Sequence, residues 1–239
     1  PLGWTVSPAL YRIAPYLIRF FYDNATKNDR IVVSPSGVGY AYPRDFSPTD
    51  LNLFIKNTEG LMKALDMHEI YMLGFGEDYE VINEYCTISE LDGVFNVNRE
   101  RQVAEPLFYN GVPVIDEWAK AENSTEMIDK IKFIQDTYFS EGSPNRPLFM
   151  FLNFNAWALR AEDYKECIEY FANNNNIEFI RPDEFLSLMN QTYQLKISNY
   201  HLQYILINIV LFIGVIGLLI YVYKNNGFSK IKNFGGKEK

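Results

Sequence analysis

Apolar residues along this chain fall into two alternating patterns. Short apolar runs bounded by polar or glycine-containing stretches predict strands at residues 31–33, 70–73, 93–97, 112–115, 148–153 and 177–180. Between them, apolar positions recur with a helical period. Leu51, Phe54, Ile55, Leu61 and Leu65 follow Ser47-Pro48, a capping residue and a proline suited to the first turn. Met127, Ile128, Ile131, Ile134 and Tyr138 follow Ser124, which is expected to cap that helix. Residues 7–23 open on Ser7-Pro8 in the same way, and Pro15 is expected to kink or split the helix. Further helices are predicted at 77–86, 161–173 and 182–189, with a turn in the asparagine run 173–176.

Short buried strands alternating with helices imply an α/β fold with a parallel sheet covered on both sides. A (β/α) barrel and an open doubly wound sheet both satisfy the pattern. In either, chemistry sits in the loops that follow the strands' C-terminal ends. Here those loops are residues 34–43, 74–78, 96–99, 116–118, 153–157 and 181–184.

A different pattern closes the chain. Residues 204–223 carry no charge over 20 positions. As a helix they cover about 30 Å, the thickness of a bilayer's hydrocarbon core. Tyr200 and Tyr204 flank one end, Tyr221 and Tyr223 the other, and Lys224, Lys230 and Lys232 follow. This predicts one transmembrane helix in contact with a lipid bilayer. The basic tail, 224–239, is expected in the cytoplasm and the N-terminal domain in the extracellular or lumenal space. The expected division is a domain at 1–195, a linker at 196–203, the helix at 204–223 and the tail. Glycosylation sequons at Asn24, Asn123 and Asn190 fit that placement. The chain begins at Pro1 rather than Met and reads as a fragment, so the lack of a signal peptide says nothing about export.

Composition narrows the function classes. With 48% hydrophobic and 22% charged residues the chain is not disordered. The net charge is −8, and the basic tail makes the rest more acidic still, which argues against a nucleic-acid partner. Two cysteines, Cys86 and Cys167, exclude a disulfide scaffold and a Cys-rich zinc site, and leave open whether they pair. Only His68 and His201 are present. That speaks against a metal-dependent deacetylase site, which needs an Asp and two His, and against a Ser-His-Asp hydrolase. No metal and no cofactor are expected.

The most informative loop follows the first predicted strand: Ser34-Pro35-Ser36-Gly37-Val38-Gly39-Tyr40-Ala41-Tyr42-Pro43. Glycines permit close backbone approach, and two tyrosines offer flat apolar faces with hydroxyls, the two things a sugar ring uses. The loop lacks the Lys-Ser/Thr of a phosphate loop and the third glycine of a dinucleotide fingerprint. No Gly-x-Ser-x-Gly elbow surrounds Ser36, whose expected role is hydrogen bonding within the loop. A purely structural aromatic loop fits these residues equally well.

Gly37-Val38-Gly39-Tyr40-Ala41-Tyr42-Pro43 resembles the signature of the GxGYxYP family of glycoside hydrolases. Gly3-Trp4, Ser7-Pro8, Ala14-Pro15, Asn28-Asp29, Leu91-Asp92-Gly93-Val94-Phe95, Asn110-Gly111-Val112-Pro113-Val114 and Arg181-Pro182-Asp183-Glu184-Phe185 resemble its C-terminal domain. Ser34 stands where that family pattern leads one to expect glycine. The resemblance covers roughly residues 1–190. It implies a TIM-barrel-like (β/α) parallel barrel, complete or incomplete, preceded by a separate N-terminal domain. It also implies a carbohydrate substrate.

Glycoside hydrolysis needs two carboxyl groups, one an acid and the other a base or nucleophile. Asp116, Glu117 and Asp92 are the first candidates. Asp116 and Glu117 are expected just after a strand, whereas Asp92 precedes one and so can face the other end. Glu77 and Asp78 come next. Ser36, Gly37, Gly39, Tyr40, Tyr42, Asn153 and Trp157 are the candidate substrate contacts, the last two because an amide and an indole can bind a sugar's hydroxyls and face. Asp183 and Glu184 are expected to complement a helix N-terminus, and Arg181 to pair with Asp183. The expected function is thus membrane-anchored hydrolysis of extracellular carbohydrate, against a non-catalytic carbohydrate-binding or interaction ectodomain.

Overall fold

The computed structural model describes residues 2–74, 79–97, 106–140, 149–154, 158, 160–194, 202 and 207. The chain divides into two units, Pro1–Asn190 and Gln191–Lys239, and the strands among the described residues lie in the first. The predicted span 204–223 lies, Ile207 apart, outside the described residues. Among those that are described, no helix is long and apolar enough to cross a membrane.

Six strands run parallel in strict sequence order: β1 (Leu2–Val6), β2 (Asp29–Val33), β3 (Glu69–Met72), β4 (Gly93–Asn96), β6 (Val112–Ala121) and β7 (Phe151–Phe154). Each pairs with the one before it, so the order never reverses. A doubly wound sheet needs such a reversal, and its absence among the described strands gives the half-barrel arrangement instead. β5 (Leu107–Tyr109) is an antiparallel hairpin partner of β6, turned by Asn110 and Gly111, both at positive φ.

One strand of this set had no signal in the apolar runs, and another runs longer than its signal. β1 reads Leu-Gly-Trp-Thr-Val, with three exposed positions. β6 extends six residues past Ile115, so Asp116, Glu117 and Trp118 lie inside the strand and not in a loop after it, correcting the sequence expectation. Conversely, residues 177–180 form no strand. Ile177 and Phe179 pack instead beside a core that contains Met127, Ile131, Cys167 and Phe171.

The helices begin and end for local reasons. α1 (Leu10–Ile13) and α2 (Pro15–Asn24) are split at Ala14, before the proline that cannot continue the ladder. α3 (Pro48–Leu65) is capped by Ser47 Oγ, which accepts from Asp50 N at 3.2 Å. It stops where Asp66 turns left-handed (φ 52°). α4 is Tyr79–Tyr85. α5 (Ser124–Ser140) is capped by Asn123, not Ser124: Asn123 Oδ1 accepts from Glu126 N at 2.8 Å. The Ser124 hydroxyl is free to donate to Glu166 at 2.7 Å, tying α5 to α6 (Ala161–Phe171). A last helix begins at Pro182.

Strand alternation sorts the sheet into two faces. Val33, Ile70, Met72, Val94 and Val114 point to the helices and share one core with Ile18, Ile55, Met62, Ile82 and Tyr85. Cys86 lies in this core and Cys167 in a second, with Met127, Ile131 and Phe171. Both cysteines are free, and burial raises their thiols to about 12 and about 11.

The opposite, inner face carries Tyr71, Phe95, Phe151 and Asn153. Tyr71 and Phe151 rings lie 6.1 Å apart, and Phe95 and Phe151 5.0 Å. β3 and β7 are separated by two other strands. In a flat sheet they would stand about 14 Å apart at the usual spacing. Side-chain contact between them requires a strongly curved sheet, as in a barrel wall.

The N-terminal half of this inner face is plugged. Pro182 sits 2.7 Å from where a Cβ on Gly3 would be, Leu186 fills the space over Gly93, and Phe185 packs on Phe95 and Phe149. Beside them Arg30 Nε meets both oxygens of the fully buried Glu69 at 2.9 and 3.0 Å. Arg181 grips Asp183 at 3.1 and 2.8 Å and donates to Lys27 O at 2.7 Å, as expected of its pairing. Among the described residues, this plug lies on the N-terminal half of the inner face.

Candidate functional site

The signature loop leaves β2 at the strand's C-terminal end, and the loop's first residues are held from below. Ser36 adopts positive φ (69°) and is fully buried. Its N–H donates to Tyr71 O at 2.8 Å, its Oγ accepts from Leu73 N at 3.0 Å, and its carbonyl accepts from the Tyr85 hydroxyl at 2.6 Å. Ser36 is thus a structural pin joining the loop to the end of β3 and to α4, in line with hydrogen bonding and not nucleophilic use. Burial pushes the Tyr85 phenol far above its ordinary range, so it stays a donor.

The two signature glycines differ. Gly37 has φ +133°, and a Cβ there would run into Thr58 Oγ1 and stand 2.8 Å from Phe54. Thr58 itself accepts from Val38 N at 3.2 Å and donates to Phe54 O at 2.9 Å. Gly37 is required by the fold. Gly39 meets nothing within 4 Å and has no left-handed φ. Neither packing nor conformation demands a glycine there.

Tyr40 follows, 70% exposed, with its ring 5.9 Å from that of Tyr42 and nearly perpendicular to it (87°). Their hydroxyls are 3.3 Å apart. Pro43 is buried and begins a single 3-10 turn, Pro43–Asp45, that fixes the exit of the loop. Tyr40 is exposed and Tyr42 half-buried, and neither belongs to the two hydrophobic cores.

The candidate carboxylates do not converge. Asp116 pairs in register with Asn96, on the helix-covered face, and accepts from Asn96 Nδ2 at 2.7 Å. Glu117, the next residue, is opposite Phe151 and so on the inner face, and it is buried. Asp92 precedes β4 at the far end of the strands, 3.9 Å from His68 Nδ1. There it lines an open pocket of about 400 Å³ with Cys86, Asn110, Gly111 and Asn190. Of the three, only Glu117 lies on the inner face toward the loop end.

Asn153 is on the same face as Glu117, and its Nδ2 donates to the Tyr71 hydroxyl at 2.8 Å. Trp157, Glu77, Asp78 and His201 lie outside the described residues. Among the described residues no group of three or more His, Cys, Asp or Glu is placed to hold a metal ion. Of the sequons, Asn24 and Asn123 are exposed. Asn190 is partly buried with its amide oxygen enclosed.

Two residues at this end were missed by the sequence reading. Tyr71 was counted only as part of an apolar strand, although its place between Ile70 and Met72 puts it on the face opposite theirs. Asn96 is fully buried, and Gly74 leaves room for its Oδ1, which a Cβ would strike. A polar residue ending an apolar run was the available signal for Asn96.

The family model described as GxGYxYP putative glycoside hydrolase C-terminal domain matches residues 1–190. A solved structure, a putative hydrolase from Bacteroides thetaiotaomicron VPI-5482, superimposes with a TM-score of 0.69 at 22% identity. The match covers 80% of this chain and 39% of that one, so the chain spans about two fifths of that protein's length. No curated protein matches the sequence.

Proposed function

This chain belongs to the GxGYxYP putative glycoside hydrolase C-terminal domain family, and from that premise we propose that it hydrolyses glycosidic bonds at the C-terminal mouth of its curved sheet, with Glu117 as an acid/base carboxyl. The observation that carries this reading is the position of Glu117: buried, on the inner face, and on the loop side of the plug formed by Pro182, Phe185 and Leu186. A buried setting of that kind, beside a bound sugar, suits a carboxyl that acts as acid or base. Asp116, turned to the helices, supports the strand end through Asn96. Asp92, at the opposite end, is too remote to share a substrate with Glu117.

The sugar platform is Tyr40 and Tyr42. Gly39 supports this assignment, because a glycine that neither backbone nor packing requires leaves the approach to the two rings open. Asn153 supplies hydroxyl recognition from β7. The reading includes the anchor. Residues 204–223 hold the domain at a bilayer, with the domain outside and the tail from Lys224 inside. Its support is the uncharged run, the flanking tyrosines and the lysines that follow. The exposed Asn24 and Asn123 are the sequons suited to carry glycans there.

The test is release of 4-nitrophenol from a panel of α- and β-linked 4-nitrophenyl glycosides by the purified chain. Glu117→Gln should lower turnover by about 10²–10⁴-fold, and Asp116→Asn should retain most of it. Full turnover in Glu117→Gln, or none in the unaltered protein, overturns the reading. Glycan binding without turnover would make the domain a binding module.

A further inference from the structure

We propose that the outward face of α2 is the seat of a second copy of this chain, paired helix against helix about a two-fold axis. The inference is independent of the glycoside reading.

α2 carries more apolar surface than one core can use. Ile18 is buried and Phe21 packs partly buried against the same core, so the inward stripe of the helix is already filled. Tyr16, Leu17 and Phe20 recur at helical spacing on another side and form a second apolar stripe. Tyr16 is 88% exposed and Phe20 58%. The turn before, in α1, adds the exposed Tyr11 and Ile13, the latter at 77%. A helix that is apolar on two faces calls for burial on both.

The patch has the size of an interface. An aromatic side chain buries ~150–250 Å², so the exposed parts of Tyr11, Tyr16 and Phe20 alone amount to roughly 300–500 Å². That is already near the largest apolar patch an ordinary monomer leaves bare. Ile13 and Leu17 carry the total past half of the ~800 Å² per partner that a standard interface buries. The polar side chains at the edge are available for the rest.

The charges at that edge decide between occupants. Arg19 Nε lies 3.2 Å from Asp23 Oδ2, an i,i+4 pair that leaves the polar flank of α2 without net charge. A helix that lies on a bilayer shows a strongly basic polar face instead, and the whole chain carries −8. The face is, however, complementary to itself. Consider an antiparallel second copy with the axis midway between Tyr16 and Phe20. Tyr16 then meets Phe20 of the second copy, and Phe20 meets its Tyr16, a pairing of aromatic rings repeated on both sides of the axis. The same axis carries the exposed Arg12, just ahead of the patch, to the helix end where Asp23 of the second copy stands. Apolar centre and charged rim thus both find their counterparts in the same surface.

The experiment is sedimentation velocity on the full chain in mild detergent, produced without glycans so that Asn24, one turn past Phe20, is bare. The unaltered chain should form a concentration-dependent dimer at micromolar levels. Tyr16→Glu and Phe20→Lys alter exposed residues only. Each alone should weaken dimerisation about 10- to 30-fold, the effect of an aromatic lost from an interface centre, with the melting temperature unchanged. Mixed in equal amounts, the two variants should pair again, because opposite charges then meet across the axis. Leu17→Ser serves if either charged variant fails to fold, and it should weaken the dimer as well. A chain that stays monomeric at about 100 μM overturns the inference. So does a dimer that none of the three variants weakens, since it then forms on another surface. Release of Tyr16→Glu from phosphatidylcholine–phosphatidylserine vesicles, with dimerisation intact, overturns it in favour of a bilayer on this face.

Discussion

Asp116 and Glu117 are consecutive in β6 and face opposite sides of the sheet, one hydrogen-bonded to Asn96 under the helices and the other opposite Phe151 on the inner wall. Strand alternation alone dictates this, and it separates their roles. Asp116→Ala should cost about 1–3 kcal/mol of stability, because the buried Asn96 amide loses its acceptor. Chemical denaturation of the two single variants checks this: Glu117→Gln should shift the midpoint far less than Asp116→Ala.

The signature glycines should separate in the same kind of experiment. Gly37→Ala forces a methyl group toward Thr58 at a left-handed φ and should cost about 1–3 kcal/mol. Gly39→Ala meets open space and should stay within about 0.5 kcal/mol of the parent. If Gly39 serves ligand approach, Gly39→Leu should weaken glycoside binding without lowering the melting temperature.

His68 gives a pH signature. Its hydrogen bond to Asp66, at 3.0 Å, raises its pKa above the ordinary histidine value, helped by Glu90 O and Asp92. The folded protein then holds this proton more tightly than the unfolded chain. Its stabilising contribution is complete below pH about 6.5 and declines as pH rises through the folded value. Unfolding free energies measured between pH 5.5 and 8.5 should fall less steeply in His68→Gln than in the parent.

At the plugged end, burial raises the Glu69 carboxyl above its usual range despite Arg30. The folded state again binds the extra proton, so stability should decrease as pH climbs from about 4.3 through the folded value, and Glu69→Gln should flatten that slope. Glu69→Ala should be harsher. It strands a guanidinium that is 26% exposed, which points to the lower part of the ~3–5 kcal/mol seen when a buried pair is broken. Parallel urea titrations of the two variants at pH 4 and pH 7 read both effects.

Much of the scaffold was legible because its signals are local. Ser47-Pro48 opened α3, Pro15 split α1 from α2, and the apolar runs at Ile31, Ile70 and Val94 became central strands with both faces covered. What failed were segments whose state is decided by neighbours far away in sequence. β1 is an edge strand with exposed Gly3, Trp4 and Thr5, and it exists through its pairing with β2. β6 runs on through Asp116 and Glu117 because β7 pairs with its far half. Residues 177–180 had the apolar content of a strand, but Ile177 and Phe179 pack on the α5–α6 core. Asn123 and Ser124 are both good caps, and only the geometry of the turn chose between them.

The candidate site was legible in its loop and not in the residues that surround it. Tyr40 and Tyr42 stand out in the signature; Tyr40 is exposed and Tyr42 half-buried, with their rings paired. The Tyr71–Asn153 bond joins residues 82 positions apart, and no spacing in the sequence announces it. That Glu117 and not Asp116 lies on the inner face needed the strand boundary, which the polar run at its end concealed.

The hydroxyl of Tyr85 reaches from the helical layer to the carbonyl of Ser36, so the posture of the signature loop is set partly from behind the sheet. Drift among the residues that seat α4 can therefore retune how the aromatic platform is offered while every ligand-facing side chain stays the same. Relatives with the same loop sequence and different helix packing need not hold that loop in the same way.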